Sequence, residues 1–449
     1  MRVLLISTYE LGRQPFGLAS PAAWIRQTGV DVECLDLALE KLDENAVRRA
    51  DAVGFYLPMH TATRIALAAL PKLRDWNSSA RLFAWGLYAP VCAAELRGQG
   101  VDFLAGGEFE LDLLDFLQNH LGDKCGGTVR ISRERLDFRV PDRTGLPPLR
   151  DYAHLCMPDG TERIVGATEA SRGCKHLCRH CPVVPVYNGR FRVVQPEVVL
   201  ADVAQQVEAG AQHITFGDPD FLNGPRHAMR VVEGLQERFP GVTYDVTVKI
   251  EHILDNQECL PTLRDTGCVL VTSAVESIDD HILRLLDKGH TRDDFVRAVE
   301  LCRNLGLHLQ PTFVAFNPWT GLEGYAELLA ALVELDLVGQ VTPIQLAIRL
   351  LIPRGSRLLE LPEVVAEVGP YEETLLVYPW AHRDPRVDAL QRQIEQLVAD
   401  SARENQSRGS IFERVWEVTW AAAGASSLPD LPNLPARATI PYLTEPWYC

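Results

Sequence analysis

Cys174, Cys178 and Cys181 are the residues of this 449-residue chain whose type and spacing most directly suggest chemistry. They lie in the run SRGCKHLCRHCP, a C-x3-C-x2-C pattern that follows an apolar, strand-like stretch over 164–170. Three thiolates on one short loop can bind three irons of a [4Fe–4S] cube. The fourth iron then has no protein ligand and can bind a further molecule. The spacing therefore predicts an iron–sulfur loop with an open coordination position.

A structural zinc site is the alternative interpretation of the same loop. The three cysteines together with His176 or His180 would form a Cys3His donor set, which is typical of closed zinc sites. Zinc loops usually present two ligand pairs separated by a longer stretch. The next cysteine after this run is Cys259, so no second pair lies nearby. The spacing favours the iron–sulfur interpretation.

With this motif the chain resembles the radical SAM superfamily. The resemblance implies that Cys174, Cys178 and Cys181 hold a [4Fe–4S] cluster whose open iron chelates the amino and carboxylate groups of S-adenosylmethionine (SAM). One electron passed into the sulfonium would release a 5′-deoxyadenosyl radical, which a barrel would shield from solvent. It also implies a low-potential electron donor such as flavodoxin or ferredoxin.

The resemblance assigns SAM contacts to two loops that follow barrel strands. In the run FGDPDF, a Gly/acidic motif made of Gly217, Asp218 and Asp220 would bind the SAM amino group. The alternative is an N-cap and turn before the next helix. In the run SAVES, Ser273 and Glu276 would approach the SAM ribose and carboxylate.

Charged residues at two other predicted strand ends are candidate catalytic groups. Lys249 and Glu251 follow the third barrel strand, where they could orient substrate or relay protons. Arg349, at the sixth strand, could bind a carboxylate through its planar guanidinium. The alternative for Lys249 and Glu251 is a solvated rim of the barrel. The alternative for Arg349 is a salt bridge at that rim.

The chain ends in LTEPWYC, with Cys449 as the last residue. This end resembles the tails of CUAEP/CCAEP radical SAM (seleno)proteins, in which selenocysteine can follow the cysteine. The resemblance implies truncation at a selenocysteine codon and a catalytic Cys449 that acts as a soft donor. Soft donors suit thiophilic centres such as arsenic, or the cobalt of cobalamin. The alternative is an accidental terminal cysteine.

Strands alternate with helices through most of the chain, which predicts an α/β fold. Over 1–122 the strands are almost continuously apolar, as in a doubly wound, Rossmann-like sheet covered on both faces. This stretch resembles the cobalamin-binding-type domain of radical SAM proteins, although it lacks both D-x-H-x-x-G and G-x-G-x-x-G. Cobalamin is therefore one expectation, and a scaffold that has lost its cofactor site is the other.

The remaining segments differ in their sequence pattern. Turn residues predict a linker over 123–163. Repeats over 164–355 predict a partial (β/α)6 barrel, with its sixth strand at 344–351 and its chemistry at the strand carboxyl ends. Apolar residues at helical spacing predict a helical region over 356–425. Frequent proline predicts an extended tail over 426–449.

The overall composition limits the partners of the chain. Its net charge of −16 makes nucleic acid an unlikely partner, because such binding depends on neutralising phosphates, and favours a small-molecule substrate. No run of about 18 apolar residues is present, so no membrane span is expected. Eleven cysteines without a secretion signal predict a reducing, cytoplasmic location.

These patterns predict a radical SAM transferase that moves an alkyl group to a small molecule, with an arsenical among the expected acceptors. The group would be methyl, carried by cobalamin, or aminocarboxypropyl from SAM. A methylthiotransferase is one alternative, with Cys34, Cys92 and Cys125 as candidates for its second cluster. A non-catalytic thiol protein that binds metal or arsenic is the other.

Overall fold

The computed structural model describes residues 1–119, 128–404 and 406–445. Its first sheet has six parallel strands in the order β2-β1-β3-β4-β5-β6. The strands are β1 (Arg2–Ser7), β2 (Asp31–Asp36), β3 (Ala52–Tyr56), β4 (Arg81–Trp85), β5 (Phe103–Gly107) and β6 (Thr128–Ser132). The helices are α1 (Phe16–Arg26), α2 (Glu44–Arg49), α3 (His60–Trp76), α4 (Tyr88–Val91), α5 (Ala93–Gly98) and α6 (Glu110–Asn119).

The apolar strands of this sheet separate two hydrophobic clusters. In β3, Val53 and Phe55 face one cluster, whereas Ala52 and Tyr56 face the other. This alternation is expected of a strand that is covered by helices on both faces. The doubly wound, Rossmann-like architecture is thus confirmed. β2 lies on one side of β1 and β3 lies on the other, so the strand order reverses at β1. Sheets of this kind bind ligands in the crevice at such a reversal.

The second sheet follows the order β14-β13-β12-β11-β8-β7-β15 and forms a curled half barrel. Its strands are β7 (His154–Cys156), β8 (Glu162–Thr168), β11 (His213–Phe216), β12 (Thr243–Thr247), β13 (Cys268–Glu276), β14 (Leu309–Phe313) and β15 (Tyr442–Leu443). β8 and β11–β14 are parallel, whereas β7 and β15 pair antiparallel at one edge. A separate hairpin pairs β9 (Ser171–Gly173) with β10 (Phe191–Val193).

The helices that follow these strands pack mainly in the larger core cluster, and two of them pack in smaller clusters. They are α7 (Val183–Tyr187), α8 (Pro196–Glu208), α9 (Pro225–Arg238), α10 (Ile250–Asp255), α11 (Leu260–Asp265), α12 (Asp280–Leu286), α13 (Arg292–Leu305) and α14 (Leu322–Glu334). The C-terminal region adds α15 (Pro362–Glu367), α16 (Pro385–Arg403) and α17 (Arg408–Ala422). The apolar stripe of α16 is buried as predicted, at Val387, Leu390, Ile394 and Leu397.

Two segments differ from the sequence prediction. The expected strand over 344–351 is wrong: a 3-10 helix spans Pro343–Leu346, and only Arg349 forms a single parallel bridge, to Phe316. Proline lacks the N–H that a ladder needs, and the Gln345 side chain instead accepts a hydrogen bond from the Phe313 N–H at 3.0 Å. The predicted linker contributes β6, which extends the first sheet. No helix among the described residues is long and apolar enough to cross a membrane.

Candidate active site

A cavity of about 430 Å³ lies between the carboxyl ends of the two sheets. Loops that follow β1, β3, β4 and β5 form one wall, which includes Glu10, Pro58, Thr61 and Leu87. The second wall consists of the cysteine loop and the carboxyl ends of the barrel strands. Both sheets therefore present their ligand-binding edges to one shared space.

The three cysteines lie together on the barrel wall of this cavity. The loop that carries them begins directly after β9, where Gly173 has a φ of +74°, and a Cβ added there would lie 2.4 Å from the Tyr187 ring. Burial raises the pKa of Cys174 to about 11 and that of Cys181 to about 12. Because metals bind thiolates, occupation of this loop must release protons. The donor set suits an iron–sulfur cluster.

Each histidine of the loop directs its Nε2 atom to a side chain other than the cysteines. His180 Nε2 lies 3.0 Å from Glu276 Oε1. His176 Nε2 lies 3.0 Å from His252 Nε2, and His252 Nδ1 lies 2.7 Å from Asp220 Oδ2. His180 Nδ1, in contrast, is buried and has no hydrogen-bond partner.

Asp220, His176 and His252 do bring three potential metal donors within 4.8 Å of one another. His252 Nδ1 lies 2.7 Å from Asp220 Oδ2, and His176 Nε2 lies 3.9 Å from the same oxygen. Both His252 Nδ1 and Asp220 Oδ2 are buried and have no hydrogen-bond partner. The three side chains form a polar cluster beside the cysteine loop.

Glu276 is held in an unusual conformation beside the cysteines. Its φ is +69°, at a register shift between β13 and β14, and its carboxylate contacts Lys288 Nζ at 3.3 Å. Burial alone would raise its pKa, but Lys288 and His180 lower the pKa to about 2. Non-glycine residues in this backbone region cost about 1–3 kcal/mol and concentrate at functional sites. Glu276 is therefore a fixed negative charge on the cavity wall.

The other predicted SAM contacts fall into two groups. Gly217 and Asp218 line the cavity, as Glu276 does, whereas Asp220 and Ser273 lie behind it. Asp218 accepts hydrogen bonds from the Ala170 N–H at 2.9 Å and from Ser171 Oγ at 2.6 Å. Asp220 caps the turn at Leu222, which is the alternative role considered for this motif.

The predicted catalytic residues are similarly divided. Lys249 lines the cavity, and its Nζ lies 3.2 Å from Glu251, which does not line it. Arg349 also lines the cavity, but it donates to Asp388 Oδ1 at 2.7 Å and stacks 3.5 Å above the Trp380 ring. These contacts occupy the Arg349 guanidinium and fix its position. Cys449 lies outside the described residues.

Arg172, which sequence reasoning missed, joins the two walls. Its guanidinium contacts Glu110 at 2.7 Å, Glu169 at 2.7 Å and Glu108 at 3.5 Å. Glu108 and Glu110 follow β5 of the first sheet, whereas Arg172 and Glu169 belong to the segment before the cysteine loop. The charged run GEFE directly after a buried strand was the only sequence signal for this cluster.

Glu10, also missed, presents a buried carboxyl group to the cavity, and its Oε2 has no hydrogen-bond partner. Burial, followed by the repulsion of Glu169, raises the pKa of Glu10 to about 8. Glu10 is therefore largely protonated at neutral pH. Below about pH 4.5 the folded and unfolded states both carry this proton, so its effect on stability is absent there. As the pH rises towards 8, only the unfolded state releases it, and folding becomes less favourable.

We therefore expect Glu10→Gln to stabilise the fold increasingly as the pH rises. Glutamine matches the shape of the protonated acid and cannot ionise. The gain in the free energy of unfolding should be below about 1 kcal/mol near pH 5 and on the order of 4 kcal/mol at pH 9. Urea unfolding of both proteins between pH 5 and 9 measures it. A difference that does not change with pH would contradict the assigned burial of Glu10.

The candidate second cluster of a methylthiotransferase is not assembled by the described residues. Cys34 belongs to the hydrophobic cluster on one face of the first sheet, and Cys92 to the cluster on the other face. The sheet separates the two thiols, so they cannot share a metal. Cys125 lies outside the described residues.

Comparison with known proteins agrees with this site. Residues 168–323 match the model of the radical SAM superfamily. This segment is a radical SAM domain. It contains the cysteine loop and extends through β14 into α14. Such a domain implies a [4Fe–4S] cluster and SAM as cofactors.

The chain is similar to two curated proteins, over different lengths of its sequence. It is 26% identical over 342 residues to hopanoid C-3 methylase of Methylococcus capsulatus, covering 70% of this chain and 64% of that protein. It is 25% identical over 202 residues to bacteriochlorophyllide d C-8(2)-methyltransferase of Chlorobaculum tepidum, covering 41% of this chain and 44% of that protein. The chain thus spans less than two thirds of the length of either relative.

Solved structures share the fold. The cobalamin-dependent SAM radical enzyme OxsB, with aqua-cobalamin and SAM bound, superposes with a TM-score of 0.65 at 15% identity, over 89% of this chain and 66% of that one. The radical SAM methyltransferase TsrM from Kitasatospora setae, with cobalamin and a [4Fe–4S] cluster bound, gives a TM-score of 0.58 at 17% identity, over 75% and 73% of the two chains. The arrangement of a Rossmann-like sheet before a radical SAM half barrel is confirmed.

Proposed function

We propose that this chain is a cobalamin-dependent radical SAM methyltransferase that acts on a small molecule. The observation that carries the proposal is the single cavity bounded by the carboxyl ends of both sheets. It would place a ligand of the first sheet directly opposite the cysteine loop. The names of the methylase relatives and the cofactors bound in OxsB and TsrM support the same assignment.

The barrel wall has the donors and the charge to hold an iron–sulfur cluster. Cys174, Cys178 and Cys181 are the proposed ligands. Burial lowers the pKa of Lys288, but Glu276, Cys178 and Cys181 raise it by more, so Lys288 keeps its positive charge in the cavity that the cysteines line. A buried cation beside thiolates offsets part of the cost of burying their charge.

The opposite wall suits cobalamin. It lies at the switch in strand order of the first sheet, and the buried polar atoms Glu10 Oε2 and Arg13 Nε have no partner there. A protonated carboxyl and a guanidinium can donate to the amide oxygens at the edge of a corrin ring. His60, the histidine on this wall, lies with Nε2 2.6 Å from the Leu375 carbonyl oxygen. That contact, like the missing D-x-H-x-x-G motif, makes His60 a poor cobalt ligand.

When bound, an open-iron cluster binds SAM and delivers an electron to it, and cobalamin supplies a cobalt that can accept and pass on a methyl group. We propose that Gly217, Asp218 and Glu276 contact SAM, because they line the wall that carries the cysteines. Asp220 and Ser273 would act from behind this layer, as positioning residues. The largely apolar lining would exclude water from the reacting groups.

The remaining charged residues are proposed to hold the site in shape. Lys249 would face the bound groups, with Glu251 keeping its ammonium in place at 3.2 Å. Arg349, tied to Asp388, would support the barrel side of the cavity. Neither arrangement requires these residues to exchange a proton with the substrate.

The methylase relatives do not support an arsenical acceptor or aminocarboxypropyl transfer, so neither is included in the proposal. The described tail ends at Glu445, whose Oε1 accepts a hydrogen bond from Tyr9 Oη at 2.8 Å, next to the loop that lines the cavity. A catalytic role for Cys449 and a following selenocysteine stay predictions.

A bulky side chain on the first wall tests the cobalamin assignment. Thr61, in the first turn of α3, lines the cavity, and Thr61→Trp should weaken binding of hydroxocobalamin at least about tenfold by filling the space. Iron content after reconstitution should not change. The control is Ile65→Trp, one turn further along α3, at a position that is 40% exposed. Equal cobalamin affinity in both variants, measured by equilibrium dialysis, would refute the assigned site.

A further inference from the structure

A cluster of metal-binding side chains lies beside the cysteine loop. His176 is in the middle of that loop, Asp220 is in the turn after β11, and His252 belongs to α10. One donor atom from each residue lies within 4.8 Å of the other two. We name these three residues the histidine–aspartate cluster. Asp220 is fully buried and His252 is 2% exposed, so the cluster joins three separate segments at a point that bulk water hardly reaches.

Hydrogen bonds do not account for the contact between Asp220 and His252. Asp220 Oδ2 lies 2.7 Å from His252 Nδ1, but neither atom has a hydrogen-bond partner among the described residues. Buried polar atoms are nearly always satisfied in folded proteins. The other oxygen of Asp220, Oδ1, accepts a hydrogen bond from the Leu222 N–H at 3.2 Å, so the turn cap does not use Oδ2. A cation bound to both Oδ2 and Nδ1 would satisfy the two atoms at once.

The separations between the donors suit a four-coordinate metal ion. Nitrogen and oxygen ligands about 2.0–2.1 Å from a tetrahedral zinc ion lie about 3.3 Å from one another. Asp220 Oδ2 lies 2.7 Å from His252 Nδ1 and 3.9 Å from His176 Nε2. His176 Nε2 lies 3.0 Å from His252 Nε2. The observed distances fall on either side of the tetrahedral spacing, so small rotations of the two rings bring the donors to it.

A second carboxylate supports the loop histidine. A metal-binding histidine usually directs its other ring nitrogen to a carboxylate, a carbonyl or water. Glu251 Oε2 lies 3.5 Å from His176 Nδ1, and Lys249 Nζ lies 3.2 Å from the same oxygen. A Cβ added at Gly289 would lie 2.5 Å from Glu251 Oε2, so the carboxylate is closely packed where it stands. Glu251 can therefore orient the His176 ring through Nδ1 and leave Nε2 for a metal.

We propose that the histidine–aspartate cluster binds one zinc ion, which fixes the cysteine loop to the barrel. The ligands are His176 Nε2, Asp220 Oδ2 and a ring nitrogen of His252, with water in the fourth position. The burial of Asp220 and His252 leaves little room for the additional waters of a six-coordinate ferrous ion, which favours zinc. The site uses no thiol, so it differs from the Cys3His arrangement and does not rest on the proposed function.

Zinc binding by a variant without loop thiols tests the proposal. The variant combines Cys174→Ser, Cys178→Ser and Cys181→Ser, so neither a cluster nor a thiolate zinc site can form on the loop. We expect it to bind one zinc ion per chain, measured by competition with a chromophoric chelator. Co²⁺ in place of zinc should show no thiolate-to-metal charge-transfer bands. Adding Asp220→Asn, which keeps an oxygen for the turn cap, should raise the Kd for zinc at least about 100-fold, and adding Glu251→Gln about tenfold.

The matched control is His227→Gln, which changes a buried histidine whose Nε2 lies 3.0 Å from the Ala170 carbonyl oxygen. It should leave the Kd within about twofold. Equal zinc affinity with and without Asp220→Asn would overturn the site, as would thiolate bands in the cobalt spectrum. Parent protein that already holds its cluster gives a second measurement if the triple variant misfolds: it should bind zinc as well, and Asp220→Asn should weaken that binding. Additional iron instead of zinc would overturn the assigned metal. These measurements need neither SAM nor a reductant, so their outcome is independent of the proposed function.

Discussion

Cys178→Ala is expected to abolish cluster assembly and SAM cleavage. Cys178 is the middle cysteine of the loop, it lines the cavity, and it is buried beside Lys288. Alanine removes one of three ligands, and the remaining two thiols cannot hold the cube. Loss of a residue that hydrogen-bonds to a metal ligand already lowers metal affinity or activity about 10–100-fold. Loss of the ligand itself should therefore reduce iron content and turnover at least about 100-fold.

The matched control for this variant is Cys259→Ala. Cys259 is also a buried cysteine, and it packs in the barrel core away from the cavity. We expect it to retain iron, acid-labile sulfide and SAM cleavage. Iron and sulfide analysis after anaerobic reconstitution measures both variants. A Cys178→Ala protein with a full complement of sulfide would contradict the assigned ligands. Zinc without sulfide in the parent protein would instead favour the non-catalytic thiol protein.

Arg172→Met is expected to produce the largest loss of stability. Its side chain is 6% exposed, and it is the cation that faces Glu108, Glu110 and Glu169 at the contact between the two walls. Removing one partner of a buried ion pair leaves an uncompensated charge and costs about 3–5 kcal/mol. Urea unfolding at pH 8 should show a loss of this size.

The pH dependence distinguishes loss of charge from loss of packing. Burial, partly offset by Arg172, already holds the pKa of Glu108 at about 7, and removal of the arginine should raise it further. At pH 6 the folded variant can therefore take up protons, so its deficit relative to the parent should shrink. Arg408→Met is the control, since Arg408 stacks 4.8 Å from the Tyr442 ring and donates to a carbonyl. It should cost about 1 kcal/mol at either pH. An Arg172→Met deficit that is equal at pH 6 and pH 8 would contradict the assigned charge balance.

The local sequence was sufficient to predict most helices and strands and to identify the cysteine loop. Apolar runs such as Ala52–Tyr56 are buried on both faces of a sheet, so their composition alone indicates a parallel α/β layer. The ligands of the loop lie within eight residues, so their spacing could be read directly. Arg349 illustrates the limit: the apolar alternation around it resembled a strand, but Pro343 and the buried Gln345 side chain favour a 3-10 turn.

Groups brought together by the tertiary structure could not be read from the sequence. Arg172 meets Glu108 and Ser20, which are 64 and 152 positions away along the chain. Nothing in the local sequence marks these residues as neighbours. The role of Asp220 could not be predicted from the sequence either. An aspartate at this position can cap a turn or contact SAM, and both roles require the same residue type.

The fate of SAM in the reconstituted protein tests the proposed methyltransferase activity most directly. The protein is loaded anaerobically with iron, sulfide and hydroxocobalamin, mixed with SAM and Ti(III) citrate, and its nucleosides are separated by chromatography; a parallel sample omits cobalamin. We expect 5′-deoxyadenosine or S-adenosylhomocysteine to form in a cluster-dependent manner, and S-adenosylhomocysteine to require cobalamin. Intact SAM in protein that holds both cofactors, or 5′-methylthioadenosine as the main product, would contradict the assignment as a cobalamin-dependent methyltransferase.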